Sequence, residues 1–274
     1  MMKHKKPFDI FLSVITYGAT IIAFSILAFL IGYVVLKGVS NLKLSLFALH
    51  YTSENVSVVP AIITTVEMTL LSLTLAVPFG LFTAIYLVEY AKRGNKLVGI
   101  VRITAETLSG IPSIIYGLFG MLFFVTALGW GFSLIAGAST LSIMILPLIM
   151  RSTEEALKSV PDSYREGSFA LGAGRLRTVF RIVLPAAIPG ILSGVILAIG
   201  RIVGETAALI YTAGTVAQTP SKLTDSARTL SVHMYNLSSE GLHTNEAYAT
   251  ALILLLTVIG INTLAGYIAR KLVR

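Results

Sequence analysis

The sequence predicts an all-α integral membrane protein, a single permease-sized domain over residues 1–274 with six transmembrane helices. Three observations carry that prediction. The chain is 55% hydrophobic and only 12% charged, with a mean hydropathy of +0.84, a composition far from that of a soluble domain. Uncharged apolar runs recur that can cross a hydrocarbon core of about 30 Å at about 1.5 Å per residue. Sixteen of the 21 Lys and Arg residues fall in segments that a six-span plan places on one side.

The first run, Ile10–Leu36, follows Lys3, Lys5 and Lys6 and lacks a small-residue cleavage site, so it reads as a retained span rather than a signal peptide. Met68–Val88 is the second. Thr107–Met150 has twice the necessary length, and Gly129-Trp130-Gly131, a turn with an interfacial aromatic, divides it into two. Ile182–Gly200 and Ala247–Ala269 complete the set. The chain has no Cys, which removes disulfides and thiolate metal sites. His4, His50, His233 and His243 show no ligand spacing and read as solvated loop residues.

Basic residues set the orientation. They cluster at both ends, in the second loop (Lys92 to Arg102) and in the fourth (Arg151 to Arg181), whereas the opposite face holds only Lys37, Lys43, Lys222 and Arg228. The positive-inside rule therefore places both termini and the fourth loop in the cytoplasm. The net charge of +8 and the pI near 9.7 follow from this bias, and with no RNA or DNA motif present they do not point to nucleic acid.

The fourth loop, residues 152–182, reads as two short helices. Ser159 is a candidate cap for the first, Pro161 and Asp162 suit its first turn, and Gly172 supplies a left-handed stop. Tyr164, Phe169 and Leu171 give it an apolar side. So short a helix needs a surface to pack on, and either a partner protein or the lipid headgroups would serve.

Glu166-Gly167-Ser168, three residues, Gly172, nine residues and Ile182-Val183-Leu184-Pro185 resemble the EAA loop of ABC importer permeases. Gly-Ser replaces the usual Ala-Ala and keeps both positions small. The segments at 84–94, 106–120, 160–173 and 200–214, the last containing Arg-x-x-Gly-Glu-Thr-Ala, are similar to the PstA-type permeases of phosphate-specific transport systems. The resemblance implies a type I ABC importer permease fold and half of a phosphate pathway through the cytoplasmic (inner) membrane. It further implies a sister permease subunit, two ATPase subunits and an extracytoplasmic phosphate-binding protein. Glu166, Gly172, Ile182, Leu184 and Pro185 would belong to the ATPase-coupling loop, and this chain would bind no cofactor, ATP being used by the partner subunit. Indeed no G-x-x-x-x-G-K-[ST] occurs in the sequence.

Arg201 stands out because an arginine in the middle of an apolar run costs about 2.5–3.5 kcal/mol to insert and marks a functional site by default. Its planar fork suits a tetrahedral oxyanion better than Lys does. Glu205, one helical turn on, is expected to share its face and to neutralise it when the pathway is empty, with Thr206 adding a hydroxyl. A buried structural pair is the competing reading. Gly200 and Gly204, spaced as GxxxG, would permit close helix approach. Arg151 is a further pathway candidate, while Glu67 and Glu106 read as capping or interfacial residues. Rival functions are transport of another oxyanion or small solute, a self-sufficient channel, or an intramembrane enzyme; the spans hold no His and no Ser/His or paired-Asp constellation to serve the last.

Overall fold

The computed structural model describes residues 7–92 and 94–272, and His4 lies outside them. Among the described residues the structure is helical throughout, with no strand. Five helices are long and apolar enough to cross a membrane, and a bent helix pair brings the count to six if the pair is one broken span. Helix α1 (Pro7–Ser40) exposes apolar side chains all round, among them Phe24, Phe29 and Leu36, as a lipid-facing helix does. It packs on α11 (Thr244–Leu272), where a Cβ on Gly38 would lie 2.5 Å from Leu252 Cβ.

The centre is formed by α2 (Val59–Ile85, extended by a π-type turn through Tyr90), α5 (Leu134–Lys158) and α8 (Leu184–Gly204). Met68, Leu141, Met144, Ile145, Ile149 and Ile202 are fully buried between them. Glycine permits the closest crossings: Gly80 of α2 lies on Ile149, Gly190 of α8 on Ala156, and Gly194 on Ser152. The last two contacts set α8 antiparallel to α5 and bring Arg201 level with the middle of α5.

The bent pair departs from expectation. It is not one straight span: α3 (Lys96–Ser109) and α4 (Ser113–Gly120, extended by a wider turn to Ala127) meet at 102°. Pro112 cannot continue α3 and pushes the residue before it out of helical conformation. The apolar limb alone, at about 1.5 Å per residue, is shorter than the hydrocarbon core. The Gly129-Trp130-Gly131 turn is present, with φ of +67° and +64° at the two glycines and Trp130 stacked on Phe124.

The fourth loop also differs in detail. Helix α5 runs on to Lys158, so Ser159 closes α5, its hydroxyl donating to Ala156 O, and does not cap the next helix. Helix α6 (Asp162–Ala170) follows, and Gly172 has φ +81° with nothing near its missing Cβ, the expected left-handed stop. The second short helix, α7 (Arg175–Thr178), is the first turn of the next span, joined to α8 by a π-type turn over Val179–Val183. On the opposite side two short helices, α9 (Ala207–Ile210) and α10 (Leu230–Glu240), complete the chain.

Candidate functional site

Because α3 leaves the bundle at the Pro112 bend, a cavity of about 410 Å3 opens between it, α5 and the end of α8. Arg102, Ala105, Glu106 and Ser109 line it from α3 at i, i+3, i+4 and i+7, one helix face. Pro147, Arg151, Glu154 and Lys158 line it from α5 in the same way. Arg201, in the last turn of α8, faces them. From Pro147 to Lys158 the wall is about 16 Å long at about 1.5 Å per residue.

Arg201 is half-buried and, among the described residues, has no ion pair. Its field reaches the Tyr116 phenol, whose hydroxyl donates to Leu108 O at the top of α3. Arg151 is exposed and held loosely to Glu155, Nε to Oε1 at 3.4 Å. Glu154 is nearly buried and takes both Arg102 (2.7 Å) and Lys158 (2.6 Å) on Oε1. Four cations and three carboxylates thus share one cavity, with an excess of positive charge.

Glu205 is not there. Helix α8 ends at Gly204, Glu205 is extended (φ −73°, ψ 127°), and its buried carboxylate accepts the Ala208 N–H at 3.1 Å, capping α9. The Ser231 hydroxyl of α10 donates to its carbonyl. Arg201 and Glu205 are therefore neither one helical turn apart on a common face nor an ion pair, and the structural-pair reading loses its basis with the expected neutralisation. Thr206 begins α9 and also lies outside the cavity lining. Gly200 and Gly204 do not mediate a close crossing within this chain, since a Cβ on Gly200 would meet only Asn262 at 3.9 Å and one on Gly204 nothing within 4 Å. The close crossing belongs to Gly190 and Gly194, which have the same spacing.

Glu67 is no cap. It sits two turns inside α2, half-buried, with Oε2 unpaired, in an outer recess that Lys222 also lines. Glu106 is exposed to the cavity. His233, expected in a solvated loop, is fully buried on α10, with Arg228 and the Tyr51 ring beside it. Burial, and then the Arg228 charge, push its pKa down to about 3 against a small opposing effect of the Val56 backbone.

In the fourth loop Glu166 and Pro185 are exposed, Ile182 is 37% exposed, and Leu184 packs on the inner core around Val179, Val183 and Leu157. Two residues there carry more than the sequence signalled. Ser168, the second small residue of the motif, is buried with its hydroxyl 2.8 Å from that of Thr178, latching α6 to α7. Arg165 forks onto Glu89 at the end of α2 (Nη2 to Oε1 2.7 Å, Nε to Oε1 3.1 Å) and donates to the carbonyls of Val160 and Leu157.

A multi-span helical bundle with a charged cavity beside its central helices and an exposed helical loop fits a membrane permease subunit. The chain belongs to the family of binding-protein-dependent transport system inner membrane components, whose pattern matches residues 76–274; members are transport components and not enzymes. It is 34% identical to the probable ABC transporter permease protein YqgI of Bacillus subtilis over 91% of this chain and 90% of that one. It is 33% identical to the phosphate transport system permease protein PstA of Yersinia pestis over 86% of this chain and 81% of that one. The phosphate transport system permease protein PstA 2 of Mycobacterium bovis matches at 41% over 70% of this chain and 65% of its own length. A subunit of a bacterial alginate ABC transporter, solved in complex with a pentasaccharide-bound periplasmic protein, shares the fold at a TM-score of 0.72 and 18% identity, covering 96% of each chain. A subunit of the MetNI methionine ABC transporter shares it at 0.64 and 24%, covering 77% of this chain and 94% of that one.

Proposed function

We propose that this chain is a permease subunit of an ATP-driven importer of inorganic phosphate and that Arg201 receives the passing anion. The observation that carries the reading is the unpaired guanidinium of Arg201 at the membrane-depth end of the cavity, with Arg151 in the same wall. Phosphate at neutral pH is compact and strongly hydrated, so a path through lipid must replace part of its water with fixed donors. A guanidinium offers two parallel N–H groups to two oxygens and stays charged throughout. The named phosphate permeases among the relatives support the choice of substrate.

The chain forms half of the pathway, the other half coming from a sister permease, with an extracytoplasmic binding protein delivering the anion and two ATPase subunits below. Both termini and α6 face the cytoplasm. The exposed Tyr164, Phe169 and Leu171 of the fourth loop are the apolar surface that an ATPase would cover. Glu166, Gly172, Ile182, Leu184 and Pro185 shape that loop, and the nucleotide is bound by the partner. Glu205 and Thr206 act at one remove, by fixing the chain where it leaves the Arg201 helix.

The test is phosphate uptake normalised to assembled complex. Arg201→Gln is expected to assemble and fail to transport, and Arg201→Lys to transport poorly because a point charge replaces the fork. Near-normal uptake by Arg201→Gln overturns the reading.

A further inference from the structure

Arg102 and Lys158 line not only the cavity that holds Arg201 but also a second one, of about 510 Å3, between the end of α2, the start of α3 and Lys158. The second cavity is lined at its far side by Lys92, Gly94 and Asn95, in the link between α2 and α3. The two side chains therefore stand as a partition between the cavity at membrane depth and a vestibule toward the basic loops. What holds them is Glu154, whose carboxylate is 7% exposed while the cations are 43% and 53% exposed. Both cations reach the same oxygen, Oε1, and neither is aligned as a hydrogen bond. One carboxylate against two cations leaves a unit of positive charge and several N–H donors open to further acceptors.

We propose that Arg102, Glu154 and Lys158 form a second binding station for a phosphate-sized oxyanion, one that the anion itself opens; the inference rests on the Arg201 pathway proposed above. An arriving oxyanion brings at least as much negative charge as Glu154 and more acceptor oxygens. It draws the Arg102 fork and the Lys158 ammonium off the carboxylate, and the partition parts. Glu154 then competes for the same two cations and expels the anion into the vestibule, where Lys92 waits. A neutral solute has no means of displacing the carboxylate, and a cation meets net positive charge. The station thus adds charge selectivity to release, and Glu154 is its positioning residue rather than an anion ligand.

The experiment measures phosphate uptake and bound phosphate in proteoliposomes holding the complete importer with its binding protein. Glu154→Gln keeps shape and one acceptor but cannot compete for the cations. Losing a charged competitor should lower KM and kcat together by about tenfold and leave labelled phosphate retained on the complex. Lys158→Gln, at a half-exposed position that does not endanger assembly, should lower kcat and shed the retained label when combined with Glu154→Gln. If Glu154→Gln does not assemble, Lys158→Gln decides alone. Unchanged KM, kcat and retention in the assembled variants, with Arg201→Gln inactive, overturn the station and leave the pathway standing. An active Arg201→Gln overturns the pathway instead.

Discussion

Replacing Arg165 by Met removes the tie between α6 and the end of α2. Arg165 is 14% exposed and Glu89 8%, with the fork at 2.7 and 3.1 Å and two further donations to Leu157 and Val160 carbonyls. The variant strands a buried carboxylate, a loss of about 3–5 kcal/mol for a buried pair broken from one side. Water can reach this edge of the molecule, so the low end applies, about 3 kcal/mol, which is roughly a hundredfold in the equilibrium between docked and released α6. The assay is amide hydrogen exchange of the importer. Protection of α6 should fall by about that factor while the buried middle of α5 keeps its own, because opening would be local. Arg165→Lys should fall between, since one ammonium cannot serve Glu89 and both carbonyls. The double change Glu89→Gln, Arg165→Met should recover much of the protection, because removing both members of a buried pair is close to neutral. Unchanged exchange in α6 of Arg165→Met would refute the clamp.

Two further outcomes follow from the same geometry. His233 has a pKa of about 3 in the fold against 6.5 free, so the unfolded chain binds the proton first; stability is complete above pH 6.5 and erodes as pH falls toward 3. Between pH 7 and 5 this amounts to about 2 kcal/mol, and His233→Gln, which keeps polar atoms beside Arg228 and Tyr51, should flatten the dependence of thermal unfolding in detergent; equal slopes would count against it. Gly194→Val places a side chain on Ser152, and overpacking of about 1–3 kcal/mol or more should reduce the unfolding temperature, with Ser152→Gly restoring part of it. A wild-type melting point for Gly194→Val would show that α5 and α8 do not cross as tightly as described.

Most of the fold is legible in the sequence because lipid makes the apolar run, the basic flank and the glycine turn obligatory. Gly172 needs a positive φ and has one, and the runs at Ile10, Met68 and Ala247 are membrane helices. Hydropathy, however, measures the length of a run and not its direction. The run that contains Pro112 therefore hid a 102° bend, and the apolar run around Arg201 hid the end of α8. The break at Glu205 depends on Ala208 and on Ser231, the latter 26 residues away. The site was half visible for the same reason: Arg201 announces itself by being charged in an apolar run, but Arg102 and Lys158 sit where positive-inside anchoring already explains them, and Glu154 beside them looks like any carboxylate of a charged loop. Only the pairing across α3 and α5 distinguishes them. Gly190 and Gly194 carried the same GxxxG spacing as Gly200 and Gly204, and sequence alone does not say which pair finds a neighbour.

The way α3 is held bears on how the cavity could change. Helices α2, α5 and α8 are locked by glycine-mediated contacts with little room to slide, and such packing resists continuous deformation. Helix α3 buries only Val98, and its ion pair to the bundle is Arg102 with Glu154. Shifting α3 against the bundle therefore breaks one half-exposed ion pair and little apolar contact, whereas shifting α8 against α5 would force Gly194 past Ser152. The same α3 follows the end of α2 after the short link through Lys92 and Asn95, and Glu89, at that end, is the residue Arg165 grips from α6. Helix α6 thus connects to the cavity wall through one buried ion pair and one short link, and the wall it reaches is the weakly held one. A displacement of the exposed α6 loop has its least costly outlet at Arg102, where the two cavities meet.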